Sequence, residues 1–470
     1  MIRKCAVPFI GVWFASTIAF FSALPALQAQ EMWGISNSNF SGRMGLHLNP
    51  STIVGAPYNY EINFLALDAF GENTYYYYPQ DETVIPRTIT GSTRPGQRYL
   101  YEGSGNQAFF AHGWLLGPSY IKNKKQYAWA VNSTLRTDAS MTQFNPDLGI
   151  LLYDKFRNDS LYGVRIDAGP LKSAGASWIE LGGTYGRSIF EKEHSYLKWA
   201  ASVNALIGLN GFYLDARSLE LTSVDTSNLV LHNIDATYAH AGNSYFGLRG
   251  ARLGSTLGVT YIKDPDYGSF ECNMGNDKRR KYRYRLGASL MDIGYIYYFN
   301  DATEYTVNSQ TDRIWNGIDT VTFGSLSELD TTLLVNAGGT LEEKNFGIWL
   351  PLALSVQFDY QVRPNVFANV TVVNRLHFAA NQIARGNQLN LSARYERRHF
   401  EGNLNYTLFE YKQPSLGLGL RYRFFVIGSD RLLQMLGLSD VKAFDFFFGI
   451  KFQFCKRPFS KGPDCPAISN

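Results

Sequence analysis

Charge is scarce in this chain. Lys, Arg, Asp and Glu make up 18% of its 470 residues, against about 25% in an ordinary soluble domain. With a formal net charge of only +4, nothing in the sequence offers the basic surface that nucleic acid would require. Long apolar runs are also missing beyond the first two dozen residues, and the mean hydropathy is −0.18. That excludes a bundle of membrane helices; a mature chain integral to a membrane must cross it as strands. There are only four cysteines, which argues against a full disulfide framework. Enzyme signatures are absent too: no Gly-x-Ser-x-Gly elbow, no phosphate-binding Gly-rich loop ending in Lys, no His-Glu-x-x-His and no Cys-x-x-Cys. The histidines His47, His112, His194, His232, His240, His377 and His399 are scattered, none at helical metal-ligand spacing. A Ser/His/Asp site could still assemble from distant strands, but no residue nominates one. The sequence therefore reads as a non-enzyme without cofactor or metal.

What is present begins with an export leader over residues 1–29. Arg3 and Lys4 precede an uncharged apolar run from Ala6 to Ala23, and Leu27-Gln28-Ala29 before Gln30 is a plausible cleavage site. The run is long enough for an uncleaved anchor as an alternative; Pro8, Pro25 and the small residues near its end favour cleavage. Cleavage takes Arg3 and Lys4 and no acid, so +4 becomes +2. It also removes Cys5, which lies ahead of the apolar run and so is not a lipoprotein cysteine. Cys272, Cys455 and Cys465 remain. Cys455 and Cys465 pair in an oxidising compartment or stay as thiols; the sequence leaves both open.

Aromatics reach 15% of the chain, with 30 Tyr, 32 Phe and 43 Gly. They fall at alternate positions, as side chains do on the two faces of a strand. In 196–210, Leu197, Trp199, Ala201, Val203, Ala205, Ile207 and Leu209 share one face, while Lys198, Ser202, Asn204, Gly208 and Asn210 share the other. In 127–136, Tyr127, Trp129, Val131 and Leu135 oppose Asn132, Thr134 and Arg136. In 282–290, Tyr282, Tyr284, Leu286, Ala288 and Leu290 oppose Arg283, Arg285, Gly287 and Ser289. In 416–424, Leu416, Leu418, Leu420, Tyr422 and Phe424 oppose Gly417, Gly419, Arg421 and Arg423. An arginine facing lipid costs roughly 2–4 kcal/mol at the bilayer midplane, so the polar faces belong to a lumen. The expected fold is all-β: a transmembrane antiparallel barrel of about 14 strands in a bacterial outer membrane. A secreted sandwich or propeller is the alternative, but its strands run to only about 5–6 residues.

Short polar turns at Lys122–Gln126, Glu191–Ser195 and Arg363–Asn365 contrast with long connections near 70–106, 214–245, 299–345 and 426–442. That is the asymmetry of short periplasmic turns and long outer loops. A strict up-down trace ends on the wrong parity, with 299–345 the likeliest place for the error. The basic run Lys278-Arg279-Arg280-Lys281 reads as a solvated turn, with contact to lipopolysaccharide phosphates or a positive pore lining as the functional option. Asp167, Asp292 and Asp359 are candidate partners for lumen arginines, chiefly Arg394, Arg421 and Arg423. The last strand carries the unbroken stripe Phe444, Phe446, Phe448, Ile450, Phe452 and Phe454. Its Gly449-x-x-Phe452-x-Phe454 pattern resembles the C-terminal signal read by the barrel-assembly machinery, although Cys455–Asn470 follows as a short tail.

Ser36-Asn37-Ser38-Asn39-Phe40-Ser41-Gly42 and Gly45-Leu46-His47-Leu48-Asn49-Pro50-Ser51 resemble the opening of a Bacteroidota outer-membrane barrel family of unknown function. Gly117-Pro118-Ser119, Leu286–Gly294, Leu350–Leu354 with Asp359-Tyr360, Leu416–Arg421 and Gly428-Ser429-Asp430 extend the likeness over nearly the whole mature chain. The Asn49-Pro50 motif is also similar to FadL-type fatty-acid transporters and their relatives in the type IX secretion apparatus. That resemblance implies a hatch folded into the lumen over 30–57, turning at Asn49 and Pro50, ahead of a barrel over 58–454 and a tail over 455–470. The Gly- and Ser-rich stretch without strand alternation agrees with a hatch, and a disordered lead-in to the first strand near Tyr58–Ala66 is the lesser alternative. The functional expectation is passive transport of small or hydrophobic solutes, with a plugged docking barrel as the alternative. Expected contacts are membrane lipid, lipopolysaccharide, the assembly machinery and proteins met by the outer loops.

Overall fold

The computed structural model describes residues 31–79, 99–100, 105, 107–124, 126–154, 156–192, 195–242, 247–263, 282–318, 330, 335–342 and 344–454. The expected leader over 1–29, the run Lys278–Lys281, the tail over 455–470 and all four cysteines fall outside the described residues. No described helix is long and apolar enough to cross a membrane.

The alternating segments form the wall of a closed antiparallel barrel. Its strands are β1 (Tyr60–Asn73), β2 (Gln107–Asn123), β3 (Tyr127–Phe144), β4 (Leu171–Lys192), β5 (Ser195–Ser223), β6 (Gly250–Lys263) and β7 (Tyr284–Tyr298). They continue as β8 (Ala353–Arg363), β9 (Val366–Arg375), β10 (Gln388–Glu396), β11 (Phe400–Phe409), β12 (Gln413–Tyr422), β13 (Phe425–Ser429) and β14 (Ala443–Phe454). Each pairs with its neighbours in sequence, and β14 returns to β1 with Tyr60 opposite Phe454 and Ile62 opposite Phe452. The expected count of about 14 strands is thus the observed one, and its even parity removes the mismatch of the linear trace. Closure leaves the wall without an edge, which is what a bilayer demands of strands.

The wall is greasy outside and polar inside. Leu404 is 55% exposed, whereas its neighbours Asn403 and Asn405 are each 1% exposed. Val131, Val203, Leu253, Val356 and Ile427 likewise face out, while Thr134, Ser202, Gln357, Asn369, Asn390 and Asp445 face in. A soluble sandwich would show the reverse, so the secreted alternative is set aside.

The long connections build a crown at one end. β5 has 29 residues, far beyond the 9–11 or so that cross a bilayer. Its upper part pairs with Asn228–Ala241, which pairs in turn with Ala302–Ser309 and Arg313–Asn316. Of the expected loops, 214–245 is therefore largely strand, and 299–345 contributes the strands Ala302–Ser309, Arg313–Asn316 and Thr340–Glu342. A helix at Pro146–Tyr153 starts where the Asn145 side chain accepts from the backbone of Asp147 and Leu148. Leu148 and Leu151 of this helix pack with Phe144, Leu221, Leu231 and Trp315 in the crown's core. At the opposite end lie the start of β1, the end of β14 and the tight turns after β2, β8, β10 and β12. The β6–β7 connection is at this end as well, so long links are not confined to the crown.

Candidate functional site: a plugged lumen

Residues 31–58 lie inside the barrel, nearly all of them buried. The segment is rich in Ser, Asn and Gly and lacks strand alternation, so it folds as single turns: Trp33–Ser36, Gly42–Gly45 and Pro50–Ile53. Its unpaired backbone groups need partners in the wall. Lys451 donates to the carbonyls of Phe40 (2.5 Å) and Ser41 (2.6 Å). Arg285 donates to Asn37 O at 2.8 Å, and Asn123 to Ala56 O at 2.7 Å. Ser289 and Lys198 take the carbonyls of Leu48 and Val54. Carboxylates accept in turn: Asp430 from Trp33 N–H (2.8 Å), Glu61 from Arg43 N–H (2.7 Å), and Glu396 from Asn39 N–H (3.1 Å).

Asn49 and Pro50 form the turn nearest β6. The Asn49 carbonyl oxygen caps Ser51 N–H at 3.0 Å and accepts from Ser51 Oγ at 2.7 Å; its amide donates to Gln357 at 3.0 Å. Pro50 occupies the first helical position, where its missing N–H costs nothing. The wall opens a niche for this turn by dispensing with a side chain: a Cβ on Gly258 would sit 2.2 Å from the Asn49 oxygen. A second close approach occurs at the Trp33–Ser36 turn, where a Cβ on Gly419 would sit 2.5 Å from Gly34 Cα. Gly449, expected as part of the assembly signal, faces Met44 of the plug, whose Cε a Cβ there would meet at 2.1 Å. Phe452 and Phe454 point outward on β14, each 39% exposed.

The lumen charges assemble into paired groups. Arg394 meets Asp359 at 2.6 Å and Glu396 at 2.6 Å, and Arg285 meets Asp359 at 3.0 Å. Arg421 meets Glu401 at 3.0 Å and lies over the Phe40 ring at 4.5 Å. Two expected lumen residues lie elsewhere. Arg423 is exposed in the tight turn after β12, with φ of 53°, because the strand ends at Tyr422. Arg283 is exposed because β7 begins one residue later, leaving it outside the pleat; Tyr282 instead tucks inward to donate to Asp359. Asp167 is exposed in the crown and pairs with no lumen arginine. Asp292 has different partners from those expected: Arg136 at 2.8 Å, and Arg385.

A further network went unnoticed in the sequence. Arg136 also meets Asp138 (2.7 Å) and Glu180 (3.1 Å), and Arg385 also meets Glu31 at the head of the plug. Arg136, Asp138 and Glu180 all sit at inward positions of β3 and β4, so strand parity could have nominated them. Arg385 sits outside any strand and carried no such signal. Asp292 enters the network through a left-handed backbone, φ 55°, beside the shift of register between β6 and β7. Above Glu31 is a cavity of about 30 Å³ lined by Phe70, Phe110, Trp114, Phe409, His112 and Arg385. It has room for one or two water molecules. The Nε2 of His112 has no partner among the described residues. No three metal-ligating side chains converge among the described residues.

A family model for a family of unknown function, DUF5723, matches residues 105–430. The chain belongs to that family. No curated protein matches it. Among solved structures it is similar to the toluene transporter TbuX of Ralstonia pickettii, with 11% identity over 92% of this chain and 100% of that one, TM-score 0.41. The Pseudomonas putida toluene transporter TodX gives 12% identity over 89% and 95%, TM-score 0.42. A Pseudomonas aeruginosa FadL homologue gives 11% over 91% and 98%, TM-score 0.40. Identities this low leave the role of each residue in this DUF5723 member to its own geometry.

Proposed function

We propose that this DUF5723 barrel is an exported outer-membrane channel for passive passage of small solutes, closed at rest by its own N-terminal segment. The single observation that carries the reading is the plug's mode of attachment. It is joined to the wall covalently only at the start of β1, and elsewhere by packing of its apolar side chains, by the Glu31–Arg385 pair and by wall side chains that bond its backbone carbonyls and N–H groups. Water can replace such contacts at a net cost near 1 kcal/mol each, so the segment can leave without unfolding the wall.

Deleting 31–56 and recording conductance in planar bilayers tests the reading. Stable conductance that rises in the deletion supports it; a barrel that folds, shown by heat-modifiable gel migration, yet conducts no better than the intact chain overturns it. A second reading, a docking barrel, draws on the crown. Its apolar core, from Phe144 to Trp315, is larger than a pore mouth needs. A deletion mutant that stays closed while the crown retains a stoichiometric partner protein favours that reading instead.

A further inference from the structure

Exposed cations occur at both ends of the barrel, mixed with exposed acids in the crown and set apart from them at the other end. At the end where β1 begins and β14 finishes, Lys124, Arg187, Arg363, Arg397, Arg398 and Arg423 are exposed. They are spread around the rim, in the turns after β2, β8, β10 and β12 and near the end of β4. Glu61, Asp359, Glu396 and Glu401, at this end, are buried in the lumen. Among the residues whose burial is described, no exposed carboxylate accompanies the cations here; the exposed acids, such as Asp147, Asp159, Asp167 and Asp312, belong to the crown.

Position along the membrane normal identifies what the cations face. Lys124 Nζ lies 5.0 Å from the Tyr127 ring, the Arg397 guanidinium 5.4 Å from Tyr395 and the Arg423 guanidinium 5.6 Å from Tyr422. Tyr127, Tyr395 and Tyr422 sit on outward-facing positions at strand ends, and Tyr422 is 59% exposed. Trp129, Tyr185 and Trp199 continue the belt. Such rings settle at the boundary of hydrocarbon and headgroup. A cation stacked on them is held at headgroup level around the barrel wall, rather than on the flat end where a soluble partner would land.

We propose that this rim binds the anionic phosphates of phospholipid headgroups in the periplasmic leaflet. The assignment of leaflet rests on the outer-membrane reading above, in which short turns face the periplasm; the binding of anionic phosphate by the rim does not depend on transport. The same rim could in principle meet free phosphate or an acidic polypeptide, but neither explains the seating of the cations on lipid-facing aromatics.

The test uses the full chain in phosphatidylcholine vesicles. Tryptophan quenching by bromine-labelled phosphatidylglycerol is compared with quenching by bromine-labelled phosphatidylcholine, since Trp129 and Trp199 face lipid at this end. The expected relative binding constant favours phosphatidylglycerol roughly fivefold at low salt, the worth of about one surface cation. It falls toward one in 1 M salt, where the Debye length is about 3 Å, and in the variant K124Q/R187Q/R363Q/R397Q/R423Q. The crown variant R157Q/K412Q keeps the preference. Equal quenching by both lipids, or a preference that survives the five substitutions, overturns the proposal. If the quintuple variant does not fold, a wild-type preference indifferent to 1 M salt overturns it equally. Retention of an acidic polypeptide with no lipid preference points to the other class of partner and also overturns it. Loss of conductance with the lipid preference intact would instead strike only the channel reading.

Discussion

Replacing Asn49 by alanine should loosen the plug without harming the wall. The side chain makes three well-formed hydrogen bonds, to Ser51 N (3.0 Å), Ser51 Oγ (2.7 Å) and Gln357 (3.0 Å). Its amide lies farther from Val259 O, at 3.3 Å, and from Thr260, at 3.4 Å. Only the bond to Gln357 joins plug to wall, the two to Ser51 being internal to the plug, so at a net value near 1 kcal/mol the substitution costs about 1 kcal/mol of docking. The population of undocked plug then rises roughly fivefold. Asn49→Asp keeps the two acceptor contacts but loses the donor to Gln357 and buries a charge, so it should open the barrel at least as far. The assay is single-channel recording paired with tryptic cleavage after Arg43, which is 1% exposed when the plug is seated. Both open fraction and cleavage rate should climb together. If Asn49→Ala conducts and resists trypsin within twofold of wild type, while its barrel unfolds at a lower temperature, Asn49 braces the wall and the latch argument fails.

Gly419→Val places a branched side chain where a bare Cβ already comes within 2.5 Å of Gly34 Cα. The plug helix should be displaced while the barrel still forms; a variant with wild-type protection of Arg43 from trypsin would contradict this. Arg136→Gln leaves Asp138, Glu180 and Asp292 facing one another in the lumen. Breaking a buried pair in this way typically costs about 3–5 kcal/mol, so the temperature of heat-modifiable migration should drop markedly, and an unchanged temperature would refute the pairing's importance. In the crown, Arg217 holds the carboxylate of Asp235 below its usual 3.8. A depressed folded-state value means the stabilisation is present above the ordinary carboxylate range and lost as pH falls through the lower value. The hairpin spanning 212–241 should therefore become sensitive to pepsin only below about pH 3.8, and sensitivity that is already maximal at pH 5 would rule the pair out as its brace.

The barrel was legible because its wall obeys one rule along every strand. Leu197 to Leu209, Leu416 to Tyr422 and Phe444 to Phe454 each put apolar groups on the lipid face, and period-two alternation needs no tertiary information. The rule fails at strand ends. Arg283 and Arg423 keep the parity of the lumen arginines in sequence, but the pleat stops before it reaches them, and a turn residue points where the turn sends it. The crown was misread as loop because its strands pair above the membrane, where neither face meets lipid and the alternation that reveals a wall strand weakens. The partners of the lumen charges were partly readable. Asp359 and Arg394 lie inward on β8 and β10, two strands apart around the wall. Arg385 reaches Asp292 and Glu31 from a connection, and no spacing in the sequence foretells that.

Whether single contacts can govern the plug depends on how its stability is composed. Ordering each of its residues costs about 1–2 kcal/mol of backbone freedom. Burying a large apolar side chain returns about 1.5–3 kcal/mol, and the plug has several: Trp33 and Ile35 toward β12, Met44 against β1 and β14, Ile53 and Val54 against β3. Met32, Phe40, Leu46, Leu48 and Tyr58 are buried as well, so apolar anchors recur along the whole segment. Ser, Asn and Gly fill the space between them and return little by burial. The apolar anchors fix where the segment sits, and no single polar contact holds it alone. The carbonyls it presents to Lys451, Arg285 and Asn123 are contacts that water can imitate, so under the proposed channel reading it is the polar set, loosened together, that would free the plug.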